Sequence, residues 1–244
     1  MTHPGSWVFT RLHARRLREV YRSAGWPCQD RLEVELLAAG MLARVHGAGG
    51  HETLRLTDMG LHALAEAFAG NRAARSAHEA LVERVARAMV RAGRIAWRGL
   101  ALRARVPMDD GGAAWVMACP DVFSIRDTTV AEYVEPVVHE IKVSRADLLG
   151  DLKKPAKRAA YLDLGGECWY VLGQDARGRC IGTADDVPPE CGVMAADGAQ
   201  LAVLRPAPRR EAAGLPFQVW MALAKATPLA GLDDESQGLL GEAG

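Results

Sequence analysis

Between Val137 and Gly173 the chain alternates in a way that restricts its fold class. An apolar run, "VVHEIKVS" (137–144), gives way to a helical stretch from Arg145 to about Leu164, and then to a second apolar strand, "CWYVLG" (168–173). Strand-like runs at 94–105, 114–118 and 121–126 come earlier, behind a helix that opens at Ser76. Helix, strands, helix, strand is an α/β order and predicts a mixed sheet. Pro155 either breaks the hydrogen bonding of the 145–164 helix or divides it into two pieces. A loop and hairpin over "DDVPPECGVMAADGAQLAVLRPAP" and a short helix at 215–226 complete this part.

The first seventy residues follow a different order. Residues 11–24 form an amphipathic helix with Leu12, Leu17, Val20 and Tyr21 on its apolar side, ended by Gly25 and Pro27. Asp30 caps a second helix, "RLEVELLAAGML", with Leu32, Leu36, Leu37 and Met41 along one face. "ARVHGAGGHETLRLT" reads as two short strands around a Gly-rich turn. Thr57 caps "DMGLHALAEAFAG", which Gly70 and Asn71 are expected to end. Ser76 and Glu79 have capping-box spacing and start the next helix, with Leu81, Val85, Ala88 and Met89 on one side. Helix, helix, hairpin, helix resembles a winged helix-turn-helix domain, which would serve DNA binding or homodimerisation. The second helix carries Glu33 and Glu35 beside Arg31, and carboxylates are poor neighbours for phosphate. The expected organisation is a winged-helix domain over 1–74, an α/β domain over 75–228 and an acidic, mobile tail over 229–244.

Net charge is zero, but unevenly spread: residues 1–107 hold 17 Lys/Arg against 9 Asp/Glu, and 108–244 hold 13 against 21. Basic clusters such as "RLHARRLREVYR" are suited to phosphate, or form solvated helix faces. The five cysteines are scattered without a C-x-x-C pair, which argues against both a disulfide framework and a zinc site. No apolar run reaches membrane-spanning length and the N-terminus lacks an apolar signal segment, so a cytoplasmic protein is expected. Aromatic residues make up 6%, too few to favour extensive base stacking along a single strand.

The chemistry concentrates at two strands. In "VVHEIKVS", Glu140 and Lys142 are two apart and share one face, while His139 points to the other. If "DVFSIR" (121–126) pairs antiparallel with that strand, Asp121 comes to lie beside Glu140. Two adjoining carboxylates repel, and burial raises the cost, so such a pair holds a cation or stays partly protonated. Oxygen ligands with open positions suit Mg²⁺ or Mn²⁺, which lower the pKa of a bound water and offset charge on a phosphoryl group under attack. Lys142 would orient that water or add positive charge.

"PD" at 120–121 and "EIK" at 140–142, in this order of elements, resemble the PD-(D/E)xK nuclease superfamily. The flanking "VHEIKVSRADLLGDLKKPAKRAAYLDLGGECWYVLG" and "VPPECGVMAADGAQLAVLRPAP" are similar to the MmcB-like DNA-repair branch, over about 76–226. The resemblance implies a restriction-endonuclease-like α/β core. It makes Asp121, Glu140 and Lys142 catalytic, and it makes Asp121, Glu140, the Ile141 carbonyl and an acid of the first core helix ligands of Mg²⁺ or Mn²⁺. Glu79 fits that last role best, with Glu83 one turn on. DNA contacts fall to Arg145, Lys153, Lys154, Lys157 and Tyr161; Lys157 and Tyr161 have the spacing of a Q-x-x-x-Y element, with Lys in place of Gln. Ser144 and Asp147 have the spacing of a helix cap, and Asp147 is near enough in sequence to join the site instead.

Three functions follow: a metal-dependent DNA nuclease, a DNA-binding or regulatory protein on a silent nuclease fold, and an interaction module.

Overall fold

The computed structural model describes residues 7–47, 50–108, 111–198, 200–210 and 214–230. Most of the expected acidic tail, from residue 231 onward, lies outside the described residues. Contacts divide the chain into two units, Met1–Ala73 and Ala74–Gly244.

In the first unit, α1 (Arg11–Arg22) and α2 (Arg31–Ala38) precede the antiparallel ribbon of β1 (Leu42–His46) and β2 (Glu52–Leu56). Thr10 caps α1 and Asp30 caps α2, its carboxylate accepting the Glu33 N–H at 2.9 Å. Leu17, Val20, Leu36, Met41, Leu42, Leu54 and Leu64 form the core. Gly25 has φ +78°, and a Cβ there would meet the Leu54 carbonyl at 2.2 Å, so only glycine lets the chain close against β2.

The helix after the ribbon corrects one expectation. Thr57 does cap it, accepting the Gly60 N–H at 3.1 Å, but Gly70 and Asn71 do not end it. α3 runs without a break from Asp58 to Arg91 and absorbs the supposed start at Ser76. Gly70 is absent from the positive-φ glycines, and an interior glycine costs only about 1 kcal/mol against Ala, which neighbouring helical turns tolerate.

The second unit centres on a six-stranded mixed sheet. Its strands are β3 (Arg94–Arg98), β6 (Val122–Arg126), β7 (Val137–Lys142), β8 (Glu167–Leu172), β9 (Gly192–Asp197) and β10 (Gln200–Arg205), in the order β10-β9-β8-β7-β6-β3. β7–β8 and β8–β9 are parallel, and the other pairs are antiparallel. The run expected as one strand at 94–105 is two. Gly99, at φ +59°, turns the chain out of β3, and β4 (Leu102–Pro107) pairs instead with β5 (Ala113–Ala118) in a separate ribbon.

Pro155 divides the second core helix, leaving α4 (Arg145–Leu152) and α5 (Pro155–Leu164) with the proline at a helix start, where its missing N–H costs nothing. α6 (Phe217–Lys225) is the last helix among the described residues. Alternation along β7 divides its side chains as expected. Ile141 joins Leu81, Val82 and Val85 of α3 on one face, and Val138 joins Tyr161, Leu164 and Tyr170 on the other. Glu140 and Lys142 share the Val138 face, deep in the sheet, and both are buried. Among the described residues no helix is long and apolar enough to cross a membrane.

Candidate active site

Asp121 stands one residue before β6. Val122 pairs with His139, so the register carried one step further sets Asp121 beside Glu140. Two backbone amides fix it there: the Ile141 N–H donates to Asp121 Oδ2 at 2.7 Å, and the Gly99 N–H donates to the Asp121 carbonyl at 3.1 Å. The other carboxylate oxygen, Oδ1, faces His78 Nε2 at 3.4 Å. A cleft of about 570 Å³ opens at this point, lined by His78, Glu79, Arg98 and Asp121 together with residues 227–230. Burial, and then the charge of Glu140, push the Asp121 carboxyl above the usual carboxylate range, against the pull of the Ile141 amide and of His78 and Lys142.

Glu140 holds two cations on one oxygen. Lys142 Nζ and Lys157 Nζ each lie 2.6 Å from Glu140 Oε1. Asp151, buried at the end of α4, closes the group: its Oδ1 is 2.6 Å from Lys157 Nζ and 3.5 Å from Lys142 Nζ, and its Oδ2 accepts the Tyr170 hydroxyl at 3.0 Å. Two carboxylates and two ammonium groups thus balance. Burial alone disfavours the Lys142 ammonium, but Glu140, Asp151 and Asp147 outweigh it and raise its pKa. Lys157 is raised in the same way, against burial, by Glu140 and Asp151. For Asp151, burial is overcome by the hydrogen bond from Lys157 and the charge of Lys142, and its pKa is lowered.

The other expected residues divide. Glu79 is exposed in the cleft beside His78, whereas Glu83 is tied to Arg87 at 2.7 Å and to Arg98. Ile141 contributes its amide to Asp121, with its side chain buried. Ser144 caps α4, accepting the Asp147 N–H at 3.2 Å, and the Asp147 carboxylate also lies 3.6 Å from Lys142 Nζ. Lys157 Nζ lies 5.3 Å from the Tyr161 ring centroid. Tyr161 itself is buried, and its hydroxyl donates to the Cys119 carbonyl at 3.0 Å. Lys153 and Lys154 are exposed and carry no ion pair among the described residues. Arg145, expected as a DNA contact, pairs with Asp186.

Asp151, Tyr170 and His78 escape the sequence reading. Tyr170 reads as core, and only the parallel register, which pairs it with Glu140, brings its hydroxyl to the site. In the first unit the acids of α2 do not face outward as free charges. Buried Glu33 accepts the Cys28 and Gln29 N–H groups at 2.6 and 2.8 Å, and Glu35 is held by His13 and Arg31 at 2.8 and 2.7 Å.

The carboxylates fit a small, hard cation. Glu140 Oε2 is buried and lacks a hydrogen-bond partner among the described residues, and the Glu140 charge acts on Asp121. Among the described residues no three His, Cys, Asp or Glu side chains form a ready metal cage. Mg²⁺ does not require one, since it is commonly held by one or two carboxylates, its own waters and substrate phosphate.

No family model matches this chain, and no curated protein matches it. Among solved structures it is similar to a protein of unknown function from Silicibacter pomeroyi, at 21% identity over 65% of this chain and 86% of that one, with a TM-score of 0.38.

Proposed function

We propose that the second unit is a Mg²⁺- or Mn²⁺-dependent deoxyribonuclease with a restriction-endonuclease-like core, acting in DNA repair or defence. The observation that carries this reading is the meeting of Asp121 with Glu140 across β6 and β7, at an open cleft, with Lys142 on the Glu140 face. Asp121 and Glu140 would hold the cation, with Glu79 at the cleft wall able to add a ligand. The bound cation supplies a more acidic water and offsets charge on the phosphate under attack. The chain's own contribution is positional. The Ile141 amide fixes which Asp121 oxygen is free, and Glu140 and Asp151 keep Lys142 protonated, so that it acts as a charge and hydrogen-bond donor rather than as a base.

Exposed Lys153 and Lys154, with Lys157 beside Glu140, supply positive charge for a phosphate backbone. The first unit is read as a winged helix that delivers the nuclease to DNA or pairs two copies. The internal engagement of Glu33 and Glu35 removes the charge objection to the first of these roles.

One observation favours a second reading, a DNA-binding protein without turnover: two lysines occupy the same Glu140 oxygen. The test is incubation of the purified chain with linear, nicked, branched and single-stranded DNA in Mg²⁺, Mn²⁺ or EDTA, beside Glu140→Gln and Lys142→Ala. Cleavage that requires the cation and is lost in both variants is the expected result. Binding of DNA in every form without cleavage would select the second reading.

A further inference from the structure

The β4–β5 ribbon has one face turned into the core and one turned to solvent. Leu102, Ala104 and Val106 are buried, whereas the alternate positions of β4 are exposed. The register pairs Arg103 with Met117 and Arg105 with Trp115, so two guanidinium groups alternate with two large apolar side chains on the outer face. Trp115 is 50% exposed and Met117 60%.

α6 adjoins this face. Phe217, Met221 and Lys225, spaced four apart on one side of the helix, line a groove of about 330 Å³ with Arg103 and Met117, and Phe217 is 72% exposed. Among the described residues no carboxylate lines the groove. Among the described residues the side chains of Arg103, Arg105 and Lys225 enter no ion pair. Asp163, on the neighbouring α5, accepts the Arg105 main-chain N–H at 2.7 Å and not its guanidinium.

We propose that the outer face of the β4–β5 ribbon and the adjoining side of α6 form a binding platform for single-stranded nucleic acid. Trp115 and Phe217 stack against bases, and Arg103, Arg105 and Lys225 meet phosphates. Unpaired cations set between exposed rings complement a flexible polyanion whose bases are free to stack, whereas a duplex keeps its base faces inside. The low aromatic content does not oppose this, because the platform needs only two exposed rings. The direction of the chain gives it a use. β5 continues through Cys119, whose carbonyl is held by Tyr161, to Asp121. Six extended residues span at most about 20 Å, so a strand lying on Trp115 passes close to the candidate active site. The proposal deepens the nuclease reading by naming single strands, or duplexes with single-stranded tails, as substrates, but binding itself does not depend on turnover.

Fluorescence anisotropy of the full chain in EDTA tests it, with labelled oligothymidylate of about 20 nucleotides and a duplex of equal length, over about 50 to 200 mM salt. The single strand is expected to bind more tightly than the duplex. Trp115→Ala is expected to weaken single-strand binding about ten-fold and Trp115→Phe to retain it within about three-fold. Arg103→Glu with Arg105→Glu should flatten the salt dependence by about 1.4, the share of two phosphates. Trp115 is half exposed, so these variants fold, and circular dichroism checks that they do. Binding no tighter for the single strand, or unchanged in Trp115→Ala, overturns the proposal. So does a wild-type dimer that Trp115→Ala dissociates without any strand binding, which would make the face an interface between copies. Strand binding without cleavage in Mg²⁺ or Mn²⁺ would sink the nuclease reading and leave the platform standing; cleavage together with single-strand binding unchanged in Trp115→Ala would do the reverse.

Discussion

Lys142 and Lys157 meet on a single oxygen of Glu140, each ammonium 2.6 Å from Oε1, while Glu140 Oε2 has no hydrogen-bond partner among the described residues. A divalent cation held by Glu140, as proposed, would arrive where two positive charges already stand. Lys142 is buried in β7 and cannot withdraw, whereas Lys157 is about a third exposed and can swing outward. Lys157→Gln removes one competing charge, and Mn²⁺ affinity, measured by calorimetry, is expected to rise roughly ten-fold, about 1.4 kcal/mol. Unchanged or weaker Mn²⁺ binding would show that Lys157 does not compete with the cation.

Loss of Asp151 should cost stability although it lies outside the apolar core. It lies between the two lysines and accepts the Tyr170 hydroxyl. Breaking a fully buried ion pair costs about 3–5 kcal/mol, and water reaching the partly exposed Lys157 recovers some of it, so Asp151→Asn should lose about 2 kcal/mol. Tyr170→Phe should lose about 1 kcal/mol. Because the two share a hydrogen bond, the double variant should lose less than their combined cost in urea denaturation. Full additivity would mean that they do not act together.

What was legible in the sequence follows from range. The alternation in "VVHEIKVS" is local, and it places Glu140 and Lys142 on one face, with His139 on the other. The setting of Asp121 beside Glu140 needed only one antiparallel step. Asp151 and Tyr170 were not legible, because they meet Glu140 only after α4 has folded back and β8 has taken its parallel register. The long α3 was missed for the opposite reason. Gly70, Asn71 and Ser76 carry stop and start signals that a continuous helix outweighs.

Asp121 should trade stability for function. Burial and the Glu140 charge raise its pKa, so near neutral pH without a cation its ionised form destabilises the fold, and that penalty is relieved as pH falls through the raised value. Asp121→Asn keeps the shape and removes the charge. In EDTA at neutral pH its Tm is expected to exceed that of the wild type, while cleavage in Mg²⁺ falls at least about 100-fold. A lower Tm in EDTA would mean that the hydrogen bond to Ile141 outweighs the repulsion.

His139 is expected to set the acid limit of the fold. It is buried on the face opposite Glu140, neither ring nitrogen has a hydrogen-bond partner among the described residues, and burial, followed by the charge of Arg94, pushes its pKa down to about 3. An unfolded histidine titrates near ~6.5, so between these values the unfolded chain takes up a proton that the folded chain refuses. Stability is therefore lost as pH falls from about 6.5 toward 3, by at most about 5 kcal/mol at 1.36 kcal/mol per unit. His139→Leu removes the proton acceptor and leaves no polar atom unpaired. Its acid-unfolding midpoint, followed by circular dichroism, should fall by about one pH unit, with little change in stability at pH ~8. An unchanged midpoint would assign acid unfolding to the carboxylates, Asp151 first among them, since its lowered pKa makes its own contribution disappear at still lower pH.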